Sequence, residues 1–397
     1  MQWTDIQALL SNPLVISLII TCCLVVTVPL VAGYMSLIER KVLSDFQVRL
    51  GPMRVGPHGL LQPIADTVKL FTKEDLVPGA ADGGIFWFAP VLSAFTALTA
   101  FSVIPLAPWL KVADVNVGLL VISATSAVGI LGIILGGWSS NSHYALLGSL
   151  RSGAQLISYE IALAFALLCG VMASGTLSMV GIVEAQRSRH IWFAFANYGF
   201  MLVPFVMYVI AAIAETNRAP FDLPEAESEL VAGFHTEYSG LRWAFYFLAE
   251  YANVLIVSSV AVTLFLGGWL RPFPNVKWLD VPFDYGVPAV LFAASGLLCF
   301  RLARKLVSKA NAIGLVFVGL FLIGCGLVFL IPAANTFIAP FFWFVLKVAM
   351  MVYLMIWVRG TFPRFRYDQL MNIGWKRLIP IGMGAVMVNA LIGFVGR

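Results

Sequence analysis

The sequence predicts an all-α membrane protein, a polytopic bundle of about ten transmembrane helices with an amphipathic helix and an acidic loop on the cytoplasmic side. Hydrophobic residues make up 60% of the 397 positions, and charged residues only 11%. Apolar runs of about 18 or more residues recur along the chain, and each can cross a ~30 Å hydrocarbon layer as a helix. The alternating pattern of an outer-membrane β-barrel does not occur. These observations exclude a soluble globular fold.

Ten apolar segments are long enough to be considered as spans, and the seventh is the shortest of them. The first residues lack the basic stretch of a signal peptide, so we expect the first segment to be an anchor. The segments cover about residues 14–38, 86–106, 115–137, 154–176, 192–214, 243–268, 286–302, 312–332, 339–358 and 377–395.

The chain divides into three parts. Residues 1–268 form a core membrane domain, residues 269–338 an inserted connection with an extra apolar hairpin, and residues 339–397 a C-terminal segment of two helices. Alternate connections that start with residues 39–85 carry eighteen Lys and Arg residues, and the opposite set carries six. By the positive-inside rule the basic set faces the cytoplasm, so both termini are predicted to be periplasmic.

The distribution of cysteine and histidine argues against a metal centre in this chain. The five cysteines are scattered through apolar runs and contain no C-x-x-C pair. An iron–sulfur cluster requires cysteines gathered around one site. The four histidines all lie in polar connections, so intramembrane haem ligands are not available. We predict no metal site and no complete catalytic site on this chain alone.

The connection at residues 39–85 contains a short amphipathic helix. In G-L-L-Q-P-I-A-D-T-V-K-L-F-T-K-E, apolar residues recur at helical spacing while Asp66, Lys69 and Lys73 lie away from the centre of the apolar face. This pattern is typical of a helix in the plane of the membrane interface. Two interpretations remain open: the apolar face covers neighbouring spans, or it forms one wall of an access path for a lipid-soluble ligand.

The acidic loop at residues 215–242 is the most unusual part of the sequence. It holds six acidic and two basic residues within a very apolar protein. Two further acids, Glu160 and Glu250, fall one to two turns inside predicted spans. Carboxylates beside hydrocarbon are costly unless they are solvated, paired or protonated, and they often mark proton or ion paths. A solvated helix cap remains the alternative for the loop acids.

Lys347 lies in the middle of the predicted span 339–358. A lysine at that depth either pairs with a carboxylate or extends its ammonium group toward the membrane surface. Pairing with a carboxylate is the prediction, and the sequence does not identify the partner.

Several long motifs resemble the H-type membrane subunit of the bacterial NADH:quinone oxidoreductase, respiratory complex I. The most extensive is E-T-N-R-A-P-F-D-L-P-E-A-E-S-E-L-V-A-G-F, which is followed by E-Y-S-G and A-E-Y-A-N. The stretches E-R-K-V-L-S-D-F-Q-V-R-L-G-P, S-Y-E and R-Y-D-Q-L-M and the amphipathic segment are also similar to that family. The resemblance covers roughly residues 14–268 and 339–395. The connection between them is longer than is usual for the family.

The resemblance implies a membrane subunit that encloses part of a ubiquinone or menaquinone chamber and links quinone reduction to proton pumping. It implies that quinone is the substrate, that FMN and iron–sulfur clusters reside on partner subunits, and that the protein is in the bacterial inner membrane with other complex I subunits. It assigns quinone-channel roles to Arg40, Arg49, Asp66 and Phe234. It assigns a proton path to Glu160, Glu215, Glu225, Glu227, Glu229, Glu237 and Glu250, and the shaping of the loop to Arg218 and Asp222.

Three other functions are compatible with parts of the sequence. A homologous subunit of a membrane-bound hydrogenase is the nearest alternative. A stand-alone cation/proton antiporter would suit intramembrane Glu and Lys residues, although the chain shows no inverted repeat. A purely structural anchor is the third possibility.

Overall fold

The computed structural model describes residues 13–222, 232–273, 276–304 and 309–395. Within these ranges the secondary structure is helical and the chain forms a bundle. The helices, numbered here in chain order, are α1 Pro13–Phe46, α2 Gln62–Thr72, α3 Gly83–Phe101, α4 Gly118–Ser139, α5 His143–Ser174, α6 Met179–Arg189, α7 Leu202–Glu215, α8 Gly240–Phe265, α9 Val287–Ala303, α10 Lys309–Val328, α11 Pro332–Thr361, α12 Tyr367–Asn372 and α13 Ile379–Val395.

Nine helices in the described part of the chain are long and apolar enough to cross a membrane. In this count α12 and α13 form one span that is continuous through a π-helical turn. The predicted polytopic helical bundle is therefore confirmed. The predicted span at 192–214 is wrong in extent, because α7 has only 14 residues. Two 3-10 turns precede it, and Asn197 and Tyr198 there have positive φ angles of 52° and 58° that interrupt the helix.

Two helices extend well beyond the apolar segments that predicted them. Helix α1 continues past the polar residues Glu39 and Arg40 to Phe46, and α5 begins eleven residues before the predicted position 154, so that it includes Arg151. Polar residues can continue such a helix when other parts of the protein bind their side chains. Helix α6, which is polar on average, was not predicted.

Helices α5, α7 and α8 form the centre of the bundle. Tyr208 on α7 is 1% exposed and donates a hydrogen bond to the Val257 carbonyl oxygen of α8 at 2.9 Å. Small side chains allow close packing here, and a Cβ atom at Gly170 of α5 would lie 2.5 Å from the Leu264 side chain of α8. At these two places the central helices therefore pack through a buried hydroxyl hydrogen bond and a small residue.

Lys347 lies in this apolar interior and pairs with no carboxylate among the residues that the structure describes; its ammonium group binds backbone carbonyl groups, so the prediction of a carboxylate partner is wrong. Its side chain is 4% exposed on α11, and Nζ donates hydrogen bonds to the carbonyl oxygens of Leu266 and Leu270 at 2.7 and 2.8 Å. These carbonyl groups follow the C-terminus of α8, where the helix dipole favours a cation. The Trp192 ring lies 5.0 Å from Nζ and adds a cation–π contact.

Candidate functional site

Three of the predicted proton-path acids line one internal cavity. Glu160 comes from α5, Glu215 from the C-terminus of α7, and Glu250 from α8, and the cavity between them has a volume of about 170 Å³. One water requires roughly 10–15 Å³ measured in this way, so the cavity has room for a chain of waters. The acids come from distant parts of the sequence, and the bundle brings them together.

Hydroxyl groups of α3 and α4 form the polar side of this cavity. Ser93, Thr96, Thr125 and Ser126 line it, and the Ser126 hydroxyl donates a hydrogen bond to Glu215. These two helices approach each other closely because α4 carries Gly132, where a Cβ atom would lie 2.2 Å from the Ser93 hydroxyl oxygen. Such a lining can bind water and solvate carboxylates inside the bundle.

A buried ion cluster adjoins the cavity. The Glu39 carboxylate on α1 is 4% exposed, and both of its oxygens lie 3.1 Å from Arg218 Nη1. Arg359 of α11 and the Tyr251 hydroxyl also donate to Glu39. Arg218 Nε reaches the Glu250 carboxylate at 2.8 Å. Arg218 thus joins Glu39 to one of the acids that line the cavity.

The start of the acidic loop is held in place by hydrogen bonds from two sides. The fully buried Gln155 side chain on α5 donates to the carbonyl oxygens of Ala214 and Phe221 at 2.8 Å each. On the other side, Arg364 forms an ion pair with Asp222 at 2.9 Å. Arg218 and Asp222, the two predicted loop-shaping residues, are therefore both ion-paired. Glu225, Glu227 and Glu229 lie outside the described residues.

An aromatic cluster closes the loop side of the cavity. Phe234 is 8% exposed and packs edge-on against Tyr246 and His235, with ring centroids 5.1 and 5.0 Å apart. Phe234 and His235 both line the cavity. Burial lowers the pKa of His235 to about 4, although the nearby Asp222 carboxylate acts in the opposite direction. His235 is therefore a neutral member of the cavity wall at neutral pH. Glu237, two residues further on, is partly buried and does not contribute to the lining.

Arg40 links the other predicted quinone-channel residues, since it contacts Asp66 on the amphipathic helix α2 and shares a surface cleft with Arg49. Arg40 of α1 forms an ion pair with Asp66 of α2 at 3.1 Å, and Gln62 donates to the same carboxylate at 3.0 Å. Arg40 and Arg49 line a surface cleft together with Pro52. Phe234 does not line this cleft and belongs to the wall of the acid cavity.

The apolar face of α2 points away from the rest of the chain. Leu61, Ile64, Val68 and Phe71 are 47–67% exposed. The described chain therefore does not use this face to cover neighbouring spans, and the face is available to lipid or to a lipid-soluble ligand.

The end of the amphipathic helix α2 is bound to the start of α8, the helix that carries the cavity residue Glu250, by an ion pair, a hydrogen bond and a close backbone contact. The buried Arg242 side chain, at the start of α8, pairs with Asp75 just beyond α2 at 3.0 Å. Ser239 accepts a hydrogen bond from the Leu76 backbone at 3.1 Å. Gly240 has a φ of +55°, and a Cβ atom there would lie 3.2 Å from the Lys73 carbonyl oxygen. The E-Y-S-G motif thus attaches the end of α2 to the helix that carries Glu250.

Comparison with known proteins identifies the family. The family model described as NADH dehydrogenase matches residues 18–390. A protein of Solibacter usitatus (strain Ellin6076), named as the second NADH-quinone oxidoreductase H subunit of that organism, is 66% identical over 391 residues, which are 98% of this chain and 100% of the relative. The chain belongs to the H-subunit family of NADH-quinone oxidoreductase. It is therefore a multi-pass membrane protein.

More distant members of the H-subunit family match over most of the chain as well. A first H subunit of Koribacter versatilis (strain Ellin345) is 53% identical over 90% of this chain and 87% of its own length. The H subunit of Rickettsia felis (strain ATCC VR-1525 / URRWXCal2) is 40% identical over 92% of this chain and 91% of its own length. The hydrogenase and antiporter alternatives are not favoured by these matches.

The structure of this H-subunit family member adds site residues that the sequence patterns did not predict. Glu39, Arg359 and Tyr251 complete the ion cluster, and Ser126 binds Glu215. The sequence could have indicated Glu39 and Arg359, because each is a charged residue directly after a predicted apolar span. Among the residues that the structure describes, no group of three or more His, Cys, Asp and Glu side chains could hold a metal ion.

Proposed function

We propose that this chain is the quinone-chamber and proton-coupling membrane subunit of a proton-pumping NADH:quinone oxidoreductase. The observation that carries the proposal is the position of two adjacent residues on α1. The Arg40 side chain is 51% exposed and reaches Asp66 on the amphipathic helix, whereas Glu39 is buried and reaches Arg218, which contacts Glu250 at the cavity. One helix turn therefore connects the proposed quinone cleft with the acid cavity.

The proposed reaction divides between this chain and its partners. Flavin and iron–sulfur clusters on the peripheral-arm subunits deliver electrons to ubiquinone or menaquinone, and the quinone head lies near the cleft of Arg40 and Arg49. Reduction of a quinone to the quinol takes two electrons and two protons, and the quinone head carries negative charge until the protons arrive. The α1 ion pairs transmit this change to Glu250 by electrostatic interaction, which is strong where the dielectric constant is low.

The carboxylates around the cavity can respond as a group. Glu160, Glu215 and Glu250 line the same space, so the protonation of one acid changes the proton affinity of the others. A change of one pKa unit corresponds to about 1.4 kcal/mol, so a few coupled acids transmit several kcal/mol. In this proposal the path continues along the acidic loop through Glu225, Glu227, Glu229 and Glu237. The ion pairs of Arg218 and Asp222 hold the start of this loop in place.

The proposal also specifies the membrane, the orientation and the partner subunits of this chain. The chain lies in the bacterial inner membrane, with the connection at 39–85 and the acidic loop on the cytoplasmic side and both termini in the periplasm. Its partners are the cluster-bearing and quinone-site subunits of the peripheral arm and the small subunits of the membrane arm. The strong excess of Lys and Arg in the alternate connections supports this orientation.

The test uses the assembled enzyme in proteoliposomes. Glu160→Gln and Glu215→Gln should each lower quinone reduction and proton pumping by about tenfold or more, because a cavity acid is lost. Glu184→Gln is the matched control, since Glu184 is a half-exposed acid on α6 whose carboxylate pairs only loosely with Arg187 at 3.6 Å. Reduction of a soluble artificial acceptor by NADH reports intact flavin chemistry.

Full quinone reduction and an unchanged proton-to-electron ratio in both cavity variants would overturn the coupling role. A purely structural anchor would show a different pattern. It predicts that Asp66→Asn leaves the KM for quinone unchanged once assembly is verified, whereas the present proposal predicts an increased KM.

A further inference from the structure

The inserted hairpin of α9 and α10 packs directly against the connection that carries the proposed quinone-channel residues. A Cβ atom at Gly314 on α10 would lie only 2.6 Å from Cγ of Pro57. Only a glycine allows this approach without displacement of the proline ring. The contact fixes the cytoplasmic end of α10 beside the 3-10 turn at Pro57–Gly59, which immediately precedes α2.

The same turn is built onto the wall of the surface cleft. A Cβ atom at Gly59 would lie 2.2 Å from the carbonyl oxygen of Pro52, and Gly59 has a φ of +77°. Pro52 lines the cleft with Arg40 and Arg49. The Lys41 ammonium group also donates to the carbonyl oxygen of His58 within the turn. Two successive close contacts therefore connect the hairpin to the cleft.

The face of α10 that touches Pro57 continues into the membrane as exposed aromatic surface. Phe317 and Phe321 follow Gly314 by three and seven residues, so all three lie on one side of the helix. Their side chains are 67% and 71% exposed. Helix α9 packs on the opposite side of α10, where Gly319 and Gly326 approach Phe300 and Phe292. The exposed side is therefore not the one that the hairpin needs for its own packing.

We propose that this face of α10 is a binding wall for the isoprenoid tail of the quinone. The proposal rests on the quinone-chamber function given above and adds a tail-binding element to it. A quinone that reaches the cleft from the bilayer must leave a long hydrocarbon tail behind its head. The exposed Phe317 and Phe321 of α10 and the exposed Ile64 and Val68 of α2 offer only apolar groups, which suit a hydrocarbon tail and not a polar head.

The experiment compares two glycine substitutions on different helices in the assembled enzyme. Gly314→Ala forces α10 away from Pro57, whereas Gly384→Ala on α13 introduces a methyl group where nothing lies within 4 Å. Both changes raise helix propensity equally, so a difference between them reports the contact. The KM is measured for a short-tailed soluble quinone and for a quinone with the same head and a full isoprenoid tail embedded in liposomes.

We expect Gly314→Ala to raise the KM for the long-tailed quinone by about fourfold, the effect of one lost methylene contact, and to leave the KM for the short-tailed quinone unchanged. Gly384→Ala should change neither value. Phe317→Ala removes tail contacts without moving the helix, and it should produce the same selective increase if Gly314→Ala prevents assembly.

Unchanged KM values for both quinones in the Gly314→Ala and Phe317→Ala enzymes would overturn the proposal. A parallel change with both quinones would also overturn it, because Gly314→Ala would then act on the cleft through Pro57 and not on the tail. Loss of another subunit on purification would overturn it too, because a partner helix would then cover this face. The quinone-chamber function fails separately, since Asp66→Asn would in that case leave the KM for the short-tailed quinone unaltered.

Discussion

Arg218 and Glu39 are separated by 179 positions in the sequence, yet Arg218 Nη1 lies 3.1 Å from both oxygens of the Glu39 carboxylate. Both side chains are less than a tenth exposed. Arg359 and Tyr251 donate to the same carboxylate. The cluster contains two acids, Glu39 and Glu250, and two arginines, so its charges balance inside the protein. Charged residues at such a position are stable only when they are paired in this way.

The first prediction is that the charge balance of this ion cluster is needed for assembly of the enzyme. Glu39→Gln leaves the buried Arg218 and the partly exposed Arg359 with one carboxylate between them, and a broken buried pair costs about 3–5 kcal/mol. We expect a marked loss of assembled enzyme on native gels and a lower midpoint of thermal unfolding. The double variant Glu39→Gln, Arg359→Gln restores the charge balance and should recover part of the loss. A double variant that is less stable than Glu39→Gln would contradict this account.

A second prediction concerns acid stability and His235. The pKa of His235 is about 4 in the folded protein and about 6.5 in the unfolded chain. Between these values the unfolded state binds a proton that the folded state does not bind, so stability is lost as the pH falls below about 6.5. His235→Gln removes this effect and should reduce the loss of stability between pH 7 and 5 by about 1–2 kcal/mol.

Thermal unfolding of the enzyme at pH 7 and pH 5 measures this difference. His190→Gln is the control, because His190 occupies an exposed turn at the end of α6. An equal drop in unfolding temperature for the wild type and His235→Gln would show that His235 is accessible to protons in the folded state.

A third prediction concerns the intramembrane lysine. Lys347→Met removes the donor from the carbonyl groups of Leu266 and Leu270, and hydrogen bonds from a charged group contribute about 1.5–3 kcal/mol each. We expect faster thermal inactivation. The residue does not line the acid cavity, so the enzyme that assembles should keep its quinone reductase rate. A lowered rate with unchanged thermal stability would instead indicate a role in the reaction.

Hydrophobic patterning predicted the helices whose position depends on contact with water or lipid, namely the membrane spans and the amphipathic helix. The amphipathic helix was expected over residues 59–74 and is found at Gln62–Thr72. The pattern could not show that α1 continues past Glu39, because the arginines that neutralise this acid are supplied by residues 218 and 359. It also could not show that α7 is short, since the interruption depends on backbone angles at Asn197 and Tyr198.

The acid cavity was predicted only as a set of residues. Sequence spacing placed Glu160 and Glu250 inside separate spans, and the common space between them arises from the packing of several helices. The partners of Lys347 could not be predicted for a similar reason. They are backbone carbonyl groups, which every residue has, so the residue types do not indicate which of them bind the lysine. Short-range periodicity therefore reveals which residues are unusual, whereas tertiary packing decides what they contact.

The central claim is that the cavity carboxylates respond to quinone reduction, and infrared difference spectroscopy tests it most directly. The spectrum of the reduced minus the oxidised enzyme reports protonation of individual carboxyl groups. Glu215→Gln should abolish a redox-linked carboxyl band that Glu184→Gln retains. Identical difference spectra for the wild type and Glu215→Gln, with quinone reduced in both, would contradict the coupling role of the cavity.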